Sequence, residues 1–120
     1  MTPEQFLEFA RPLPEPMLLI TGNGQILATN PPFSKMLGLP RQLWQGKMIF
    51  EMATDPVDKV KQYLRACSSS REMVIGSLTL SGNDGKTCLC RCEGAVIRPW
   101  APESPALILL RLKNQESASS

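Results

Sequence analysis

The sequence predicts an α+β fold in which short helices pack on one face of an antiparallel sheet. Three observations lead to this prediction. Apolar residues recur at helical spacing in the first half of the chain, the spacing becomes that of extended strands from Glu72 onward, and glycine-containing turns separate short apolar runs. The predicted order is one helix, two strands, three or four helical segments and then three strands, which is typical of α+β domains.

The first residues predict a short amphipathic helix. Residues 2–5 supply a capping threonine, a proline suited to the first turn and the glutamine of a capping box. Phe6 and Phe9 then lie on one side of the helix. The proline-rich run over residues 11–16 ends it, because proline cannot continue a helix.

A hairpin and a second helix follow. Residues 17–20 and 25–28 are short apolar runs, and Gly22-Asn23-Gly24 between them suits a tight hairpin turn. Asn30 is a candidate helix cap followed by two prolines. Gly38 is placed to end this second helix.

The middle of the chain predicts further helical segments. Residues 40–44 and 48–53 predict short helical turns, and residues 54–56 open a longer helix by the same capping logic. The apolar positions of that helix recur at helical spacing: Val57, Val60, Leu64 and Cys67.

The C-terminal part predicts three strands. Residues 73–80 and 87–98 are extended and are joined by the turn Asn83-Asp84-Gly85. A proline-rich loop over residues 99–105 leads to a last strand over residues 106–112. The polar tail, residues 114–120, predicts disorder or a linker.

Composition narrows the functional classes. A chain of 120 residues with 42% hydrophobic residues is long enough for one core, and no apolar run approaches the ~20 residues that span a bilayer. The N-terminus lacks the basic region of a signal peptide, and the basic residues are scattered without interleaved aromatics. We therefore expect a cytoplasmic segment that does not bind nucleic acid.

Histidine is absent, and this absence excludes several chemistries at once. It removes a Ser-His-Asp triad, a Cys-His pair, a histidine-ligated haem and a phosphoaccepting histidine. The acids Glu51, Asp55, Asp58 and Glu72 form no recognisable catalytic pair, and the first glycine turn lacks the lysine of a phosphate loop. We expect that this segment is not an enzyme and binds no metal.

Four blocks in order and at suitable spacing resemble the PAS family. They are residues 14–20 with 24–26, residues 30–38, residues 46–51, and residues 84–86 with 94–98. On this resemblance, residues 1–113 are interpreted as one domain. Residues 1–12 are its N-terminal flanking helix and residues 13–113 are the PAS core.

The resemblance implies a five-stranded antiparallel sheet that cups a small hydrophobic pocket against short helices. Such domains bind haem, flavin, small metabolites or nothing, and often dimerise. They commonly sit upstream of a histidine kinase or cyclase. The implied function is a regulatory domain of a multidomain signalling protein, with its output domain outside this chain. It would mediate homodimerisation and sense a small apolar ligand, and the alternatives are a ligand-free dimerisation module or a thiol-based redox or metal sensor.

Two branches of the family fit poorly. No cysteine lies within residues 1–66, which argues against cysteinyl-flavin photochemistry, and the lack of histidine argues against histidine-ligated haem. We expect no cofactor, although a small ligand of unknown identity remains an alternative. The closing residues 111–113 also depart from the Asp-Ile-Thr stretch with which many members end.

Methionine and aromatic side chains suit either an adaptable apolar pocket or a filled core. The pocket candidates are Phe33, Met36, Trp44, Phe50, Met52, Leu64, Cys90 and Cys92.

Cys88, Cys90 and Cys92 alternate along one strand and are predicted to point to one face. With Cys67 they suggest a metal or redox site, or else small hydrophobes that fill the core. Their spacing is not the Cys-x-x-Cys of a zinc knuckle, and neighbours at i and i+2 lie about 7 Å apart, at the upper edge for a disulfide.

The last strand is apolar on both faces, so its second face needs a cover. The N-terminal helix and a second subunit are the two candidates. The residues predicted at a homodimer interface are Phe6, Phe9, Leu107 and Leu109.

Overall fold

The computed structural model of the chain describes residues 1–82 and 85–115 and contains a five-stranded antiparallel sheet with three α-helices. This architecture confirms the predicted α+β class. The elements in chain order are α1 Pro3–Ala10, β1 Met17–Thr21, β2 Ile26–Thr29, α2 Pro31–Leu37, the 3-10 turns Arg41–Leu43 and Ile49–Glu51, α3 Val57–Ser69, β3 Val74–Ser81, β4 Thr87–Arg98 and β5 Leu107–Asn114.

The first two helices begin and end at the predicted residues. The Thr2 hydroxyl accepts a hydrogen bond from the Gln5 amide at 3.1 Å, and the Gln5 side chain accepts one from the Thr2 amide at 2.9 Å. Asn30 caps α2 through Phe33, and Gly38 ends α2 with a φ of 70°. Local side-chain chemistry is therefore enough to place these boundaries.

The predicted capping of α3 is wrong. Pro56 occupies its N-cap and no side chain caps the helix. The Asp55 carboxylate instead accepts a hydrogen bond from the Thr79 amide at 2.7 Å, and the Thr54 amide donates to the Thr79 carbonyl oxygen at 2.8 Å. These residues are committed to the edge of β3, so they are not available to the helix.

The sheet has the strand order β2-β1-β5-β4-β3, so β1 and β5 lie beside each other near its middle. Leu18 pairs with Leu110 and Leu19 with Leu109 in this central ladder. Every residue of β1 is buried, since both faces of the strand are covered.

Two apolar clusters explain the two-faced last strand. On the inner face, Ile108, Leu110 and Leu112 pack with the residues of α2 and α3. On the outer face, Leu107 packs beneath α1, and Leu109 packs against the same cluster while partly exposed. The helices are therefore not all on one face, because α1 covers part of the outer one.

The segment between α2 and α3 protects both edges of the sheet. On the β2 side, the Ile26 amide donates to the Lys47 carbonyl oxygen at 2.8 Å. On the β3 side, the Ser81 amide donates to the Met52 carbonyl oxygen at 2.8 Å. Edge strands with unpaired backbone groups recruit other chains, and this segment blocks such pairing at these positions.

Two sequence predictions fall partly outside the described residues. The predicted turn between β3 and β4 includes Asn83 and Asp84, which lie outside them, whereas Gly85 has a φ of 71°. At the C-terminus, β5 extends to Asn114, and the prediction for residues 116–120 also lies outside the described part. Within residues 1–82 and 85–115, no helix has the length and apolar character needed to cross a bilayer.

Candidate functional site

The eight pocket candidates come together between the inner face of the sheet and the helical segments. Met36 and Phe50 are partly buried and pack against the inner cluster. The other six are buried members of that cluster: Phe33, Trp44, Met52, Leu64, Cys90 and Cys92. The sequence therefore identified side chains that share one region, and this region is an apolar core.

Trp44 places a polar indole N–H group within this apolar core. Its ring meets the Phe33 ring edge to face at a centroid distance of 5.5 Å, and the residue is only 2% exposed. Its indole Nε1 is buried and has no hydrogen-bond partner within the described residues. A buried donor without an acceptor costs about 1–3 kcal/mol, so this N–H is a ready donor to any acceptor that enters.

Tyr63 of α3 lies in a slot that two strand glycines create. A Cβ at Gly76 would lie 2.5 Å from the Tyr63 ring, and a Cβ at Gly94 would lie 2.9 Å from its Oη. The Tyr63 hydroxyl donates to the Val74 carbonyl oxygen at 2.9 Å. Burial raises the pKa of this hydroxyl, with Cys67 beside it as a further cause. Sequence reasoning missed this residue, although glycine inside a strand signals a close approach.

The cysteines lie on one face, as predicted. Cys90 and Cys92 are buried in the inner cluster and Cys88 packs against it. Burial raises the pKa of the Cys92 thiol, with Cys90 and then Cys67 as further causes, and burial also raises the pKa of the Cys67 thiol. Reactive and metal-binding cysteines are thiolates, which this environment disfavours.

The described residues contain no group of His, Cys, Asp and Glu side chains arranged to hold a metal ion. The observed contribution of the cysteine strand is the packing of Cys90 and Cys92 within the inner cluster.

Two of the four interface candidates are covered by the chain itself. Phe6 and Leu107 are fully buried in the outer cluster, because α1 lies directly on this part of the sheet. They are therefore not available to a partner in this arrangement. Phe9, which meets Phe6 edge to face at 5.7 Å, is 38% exposed, and Leu109 is partly exposed.

Further apolar side chains lie on the uncovered part of the outer face. Ile75 of β3 is 54% exposed, and Leu89 of β4 is also exposed. Ala95 and Ile97 of β4 are half-buried on the same face. Ala95 pairs with Leu109, so the apolar surface runs from Leu109 to Ala95 and on toward Ile75 of the next strand. Arg91 and Glu93 lie between Ala95 and Leu89 on this face, so Leu89 stands apart from that surface.

Asn30 joins α1 to the core and does more than the predicted capping. Its Oδ1 accepts hydrogen bonds from the Met17 amide at 2.9 Å and the Phe33 amide at 3.4 Å. Its Nδ2 donates to the carbonyl oxygens of Ala10 at 3.0 Å and Glu15 at 2.8 Å. One buried amide therefore holds the end of α1, the proline-rich connection, β1 and α2.

A surface ion network also ties the proline-rich connection to the sheet. The Arg111 Nε lies 2.7 Å from the Glu93 Oε1 and 3.2 Å from the Glu15 Oε2. Arg111 and Glu15 are exposed and Glu93 is half-buried, and ion pairs near the surface contribute about 0–1 kcal/mol. The network therefore orients the proline-rich connection but adds little to the free energy of unfolding.

A family model described as the PAS fold matches residues 4–99. Among curated protein sequences, none matches this chain. Similar solved structures include the PAS domain of an HTR-like protein from Haloarcula marismortui, with a TM-score of 0.74 and 17% identity over 92% of this chain and 89% of that one.

Two further structures are similar. Drosophila melanogaster Cycle PAS-B with bound ethylene glycol has a TM-score of 0.71 and 12% identity over 82% of this chain and 98% of that one. A PAS domain from a two-component sensor histidine kinase has a TM-score of 0.66 and 9% identity over 89% of this chain and 90% of that one. At such low identities these similarities show the fold alone.

Proposed function

Since the chain belongs to the PAS family, we propose that it is a non-catalytic regulatory module that pairs with a second copy through the outer face of its sheet. PAS domains are generally sensor modules without catalytic activity of their own. The output activity, a histidine kinase or a cyclase, would lie in another domain of the parent protein. The likeness to a histidine kinase PAS domain supports the first of these two.

The observation that carries the pairing is the apolar surface beside α1. Phe9 and Ile75 are exposed on this face, and the half-buried Ala95, which pairs with Leu109, lies between the strand of Ile75 and that of Leu109. Exposed apolar side chains on a sheet face are typical of interaction sites, and a stable interface buries about 800 Å² per partner. An isologous pair would bring this surface of one copy against the same surface of the other.

Small-ligand sensing is a second role, and the unpartnered Trp44 Nε1 supports it. A ligand that enters between Phe33 and Met52 with an acceptor atom would satisfy this donor, while its apolar part would contact the surrounding side chains. The ethylene glycol in the Cycle structure is a small molecule of that general kind. This role requires the core to open, because all three side chains are buried.

We further propose that the module works without haem, cysteinyl flavin or thiol chemistry. Histidine is absent from the chain, and no cysteine lies within residues 1–66. The buried thiols of Cys67 and Cys92 have raised pKa values, which keeps them protonated near neutral pH.

The pairing is tested by light scattering over a range of protein concentrations. We expect Phe9→Glu and Ile75→Glu each to shift the equilibrium to monomer, because a charge in the interface is left without a partner. Leu43→Glu is the matched control, since Leu43 is also an exposed apolar residue but lies in the segment between α2 and α3. A monomeric native protein, or an equal shift in all three variants, would contradict the proposed interface.

The sensing role is tested by native mass spectrometry on protein purified without added ligand. Extra non-covalent mass that disappears in Trp44→Phe supports a ligand held by the indole N–H. Bare protein whose melting temperature is unchanged by small hydrogen-bond acceptors favours the ligand-free dimerisation module instead.

A further inference from the structure

A cleft of about 620 Å³ lies outside both the inner core and the outer sheet face. Its walls come from α3, from the turn between β1 and β2, and from the loop between β4 and β5. Its volume is within the range of about 300–1,000 Å³ that is usual for binding clefts. Neither the proposed pairing nor the proposed sensing role uses it.

One wall of the cleft is positively charged. Lys61 and Arg65 stand one helical turn apart on α3 and are exposed, so both cations face the same side of the helix. Among the described residues that line the cleft, none carries a carboxylate. The cleft therefore attracts negative charge, and Ser69 adds a hydroxyl on the same wall.

Two aromatic side chains, Phe50 and Trp100, also line the cleft. Trp100 is 67% exposed, which is unusual for a side chain with so much apolar surface. Phe50 is half-buried, and the Lys61 Nζ lies 5.9 Å from its ring centroid. Tryptophan and arginine are enriched among the residues that dominate the energetics of protein interfaces, and one of each lines this cleft.

The walls are held in place before any partner binds. The Gly22 amide donates to the Ala106 carbonyl oxygen at 2.8 Å, which fixes the β1–β2 turn against the end of the loop that carries Trp100. A Cβ at Gly22 would lie 2.9 Å from the Ser68 Oγ, so the same turn also touches the end of α3. Preorganised walls reduce the entropic cost of binding.

We propose that this cleft binds an acidic peptide segment of a partner protein, with an aliphatic or aromatic residue of that segment seated on Trp100. Carboxylates of the segment pair with Lys61 and Arg65. The chemistry of the cleft selects this occupant. Its described lining residues include two cations and no carboxylate, which complements acids, and an exposed indole complements an apolar side chain.

The test is fluorescence anisotropy with a labelled peptide of alternating glutamate and leucine, titrated with the whole chain. Lys61→Glu replaces one attraction by a repulsion, and we expect it to weaken binding about tenfold. Removal of the indole in Trp100→Ala is expected to weaken binding by more than about tenfold. Added salt should weaken binding to the native chain, since exposed ion pairs are screened.

The matched control is Lys59→Glu, which makes the same charge change on α3 at a position that does not line the cleft. It should bind the peptide within about twofold of the native chain, as expected for an exposed charge without a partner. Circular dichroism checks that all three variants fold.

Three results would overturn the proposal. The first is equal weakening by Lys59→Glu and Lys61→Glu, which would reflect net charge alone. The second is equal affinity for a peptide with glutamine in place of glutamate. The third is self-association of the native chain that Lys61→Glu abolishes, which would assign the cleft to a second copy instead of a partner protein.

Discussion

Replacement of Asn30 by alanine should release α1 from the core. The side chain is 1% exposed and makes four hydrogen bonds, to the backbone groups of Met17, Phe33, Ala10 and Glu15. Each hydrogen bond contributes about 1 kcal/mol net to stability. The backbone groups of Met17, Phe33 and Ala10 are buried, so leaving them unpaired costs more than leaving the partly buried Glu15 carbonyl unpaired. We therefore expect a loss of about 3 kcal/mol in the free energy of unfolding, out of the ~5–15 kcal/mol usual for a domain.

The assay is urea unfolding followed by the fluorescence of the buried Trp44. Asn23→Ala, an exposed asparagine in the β1–β2 turn, is the control and should change stability by less than about 0.5 kcal/mol. Asn30→Asp keeps the acceptor but places an oxygen against the carbonyls of Ala10 and Glu15, so it should be at least as destabilising as Asn30→Ala. A loss below about 1 kcal/mol in Asn30→Ala would refute the reasoning, because the hydrogen bonds would then contribute less than one net bond.

Three further predictions concern the inner core. Gly76→Ala should destabilise the chain by about 1–3 kcal/mol in urea unfolding, because its Cβ would lie 2.5 Å from the Tyr63 ring, and Tyr63→Leu should relieve part of that cost. The thiols of Cys67 and Cys92 have pKa values raised above the ordinary 9.0, so the folded chain binds these protons more tightly than the unfolded one. Thermal melts should therefore show stability that declines as the pH rises above that value, and a rise there would contradict the burial of the thiols. Trp44→Phe removes a buried donor without an acceptor among the described residues, and this gain offsets the packing lost with the smaller ring. In ligand-free protein the free energy of unfolding should therefore stay within about 1 kcal/mol of the native value, and a larger loss in urea unfolding would contradict that balance.

Local chemistry made part of the fold predictable. The capping box at residues 2–5, the cap at Asn30 and the terminating Gly38 each depend on neighbours in sequence, and each was predicted correctly. The predicted capping by residues 54–56 failed because the Asp55 carboxylate accepts a hydrogen bond from the amide of Thr79, which is distant in sequence. A local sequence pattern does not show that a distant strand competes for the same side chain.

The sequence predicted which apolar residues are buried together, but not which face of the sheet each of them occupies. The apolar spacing of the last strand predicted two buried faces, yet the pairing with β1 decides that Leu107 and Leu109 face outward. Nothing within the strand carries that information, since a shift of one residue would exchange its faces. Tyr63 was missed because its slot exists only where α3 crosses Gly76 and Gly94.

β1 and Asn30 contact both the inner core and the helix that covers the outer face, so they would couple the two proposed roles. Leu18 and Ile20 of β1 belong to the inner cluster, while Leu19 belongs to the outer cluster beneath α1. Asn30 bonds to the end of α1 and to the first residue of β1. If a ligand that enters the core changes the position of β1, it changes the position of α1 and with it the pairing surface around Phe9. Thermodynamic linkage then requires the two effects to be equal: pairing changes the ligand affinity by the same factor by which the ligand changes the affinity of pairing. Measurement of one of these factors would therefore give the other.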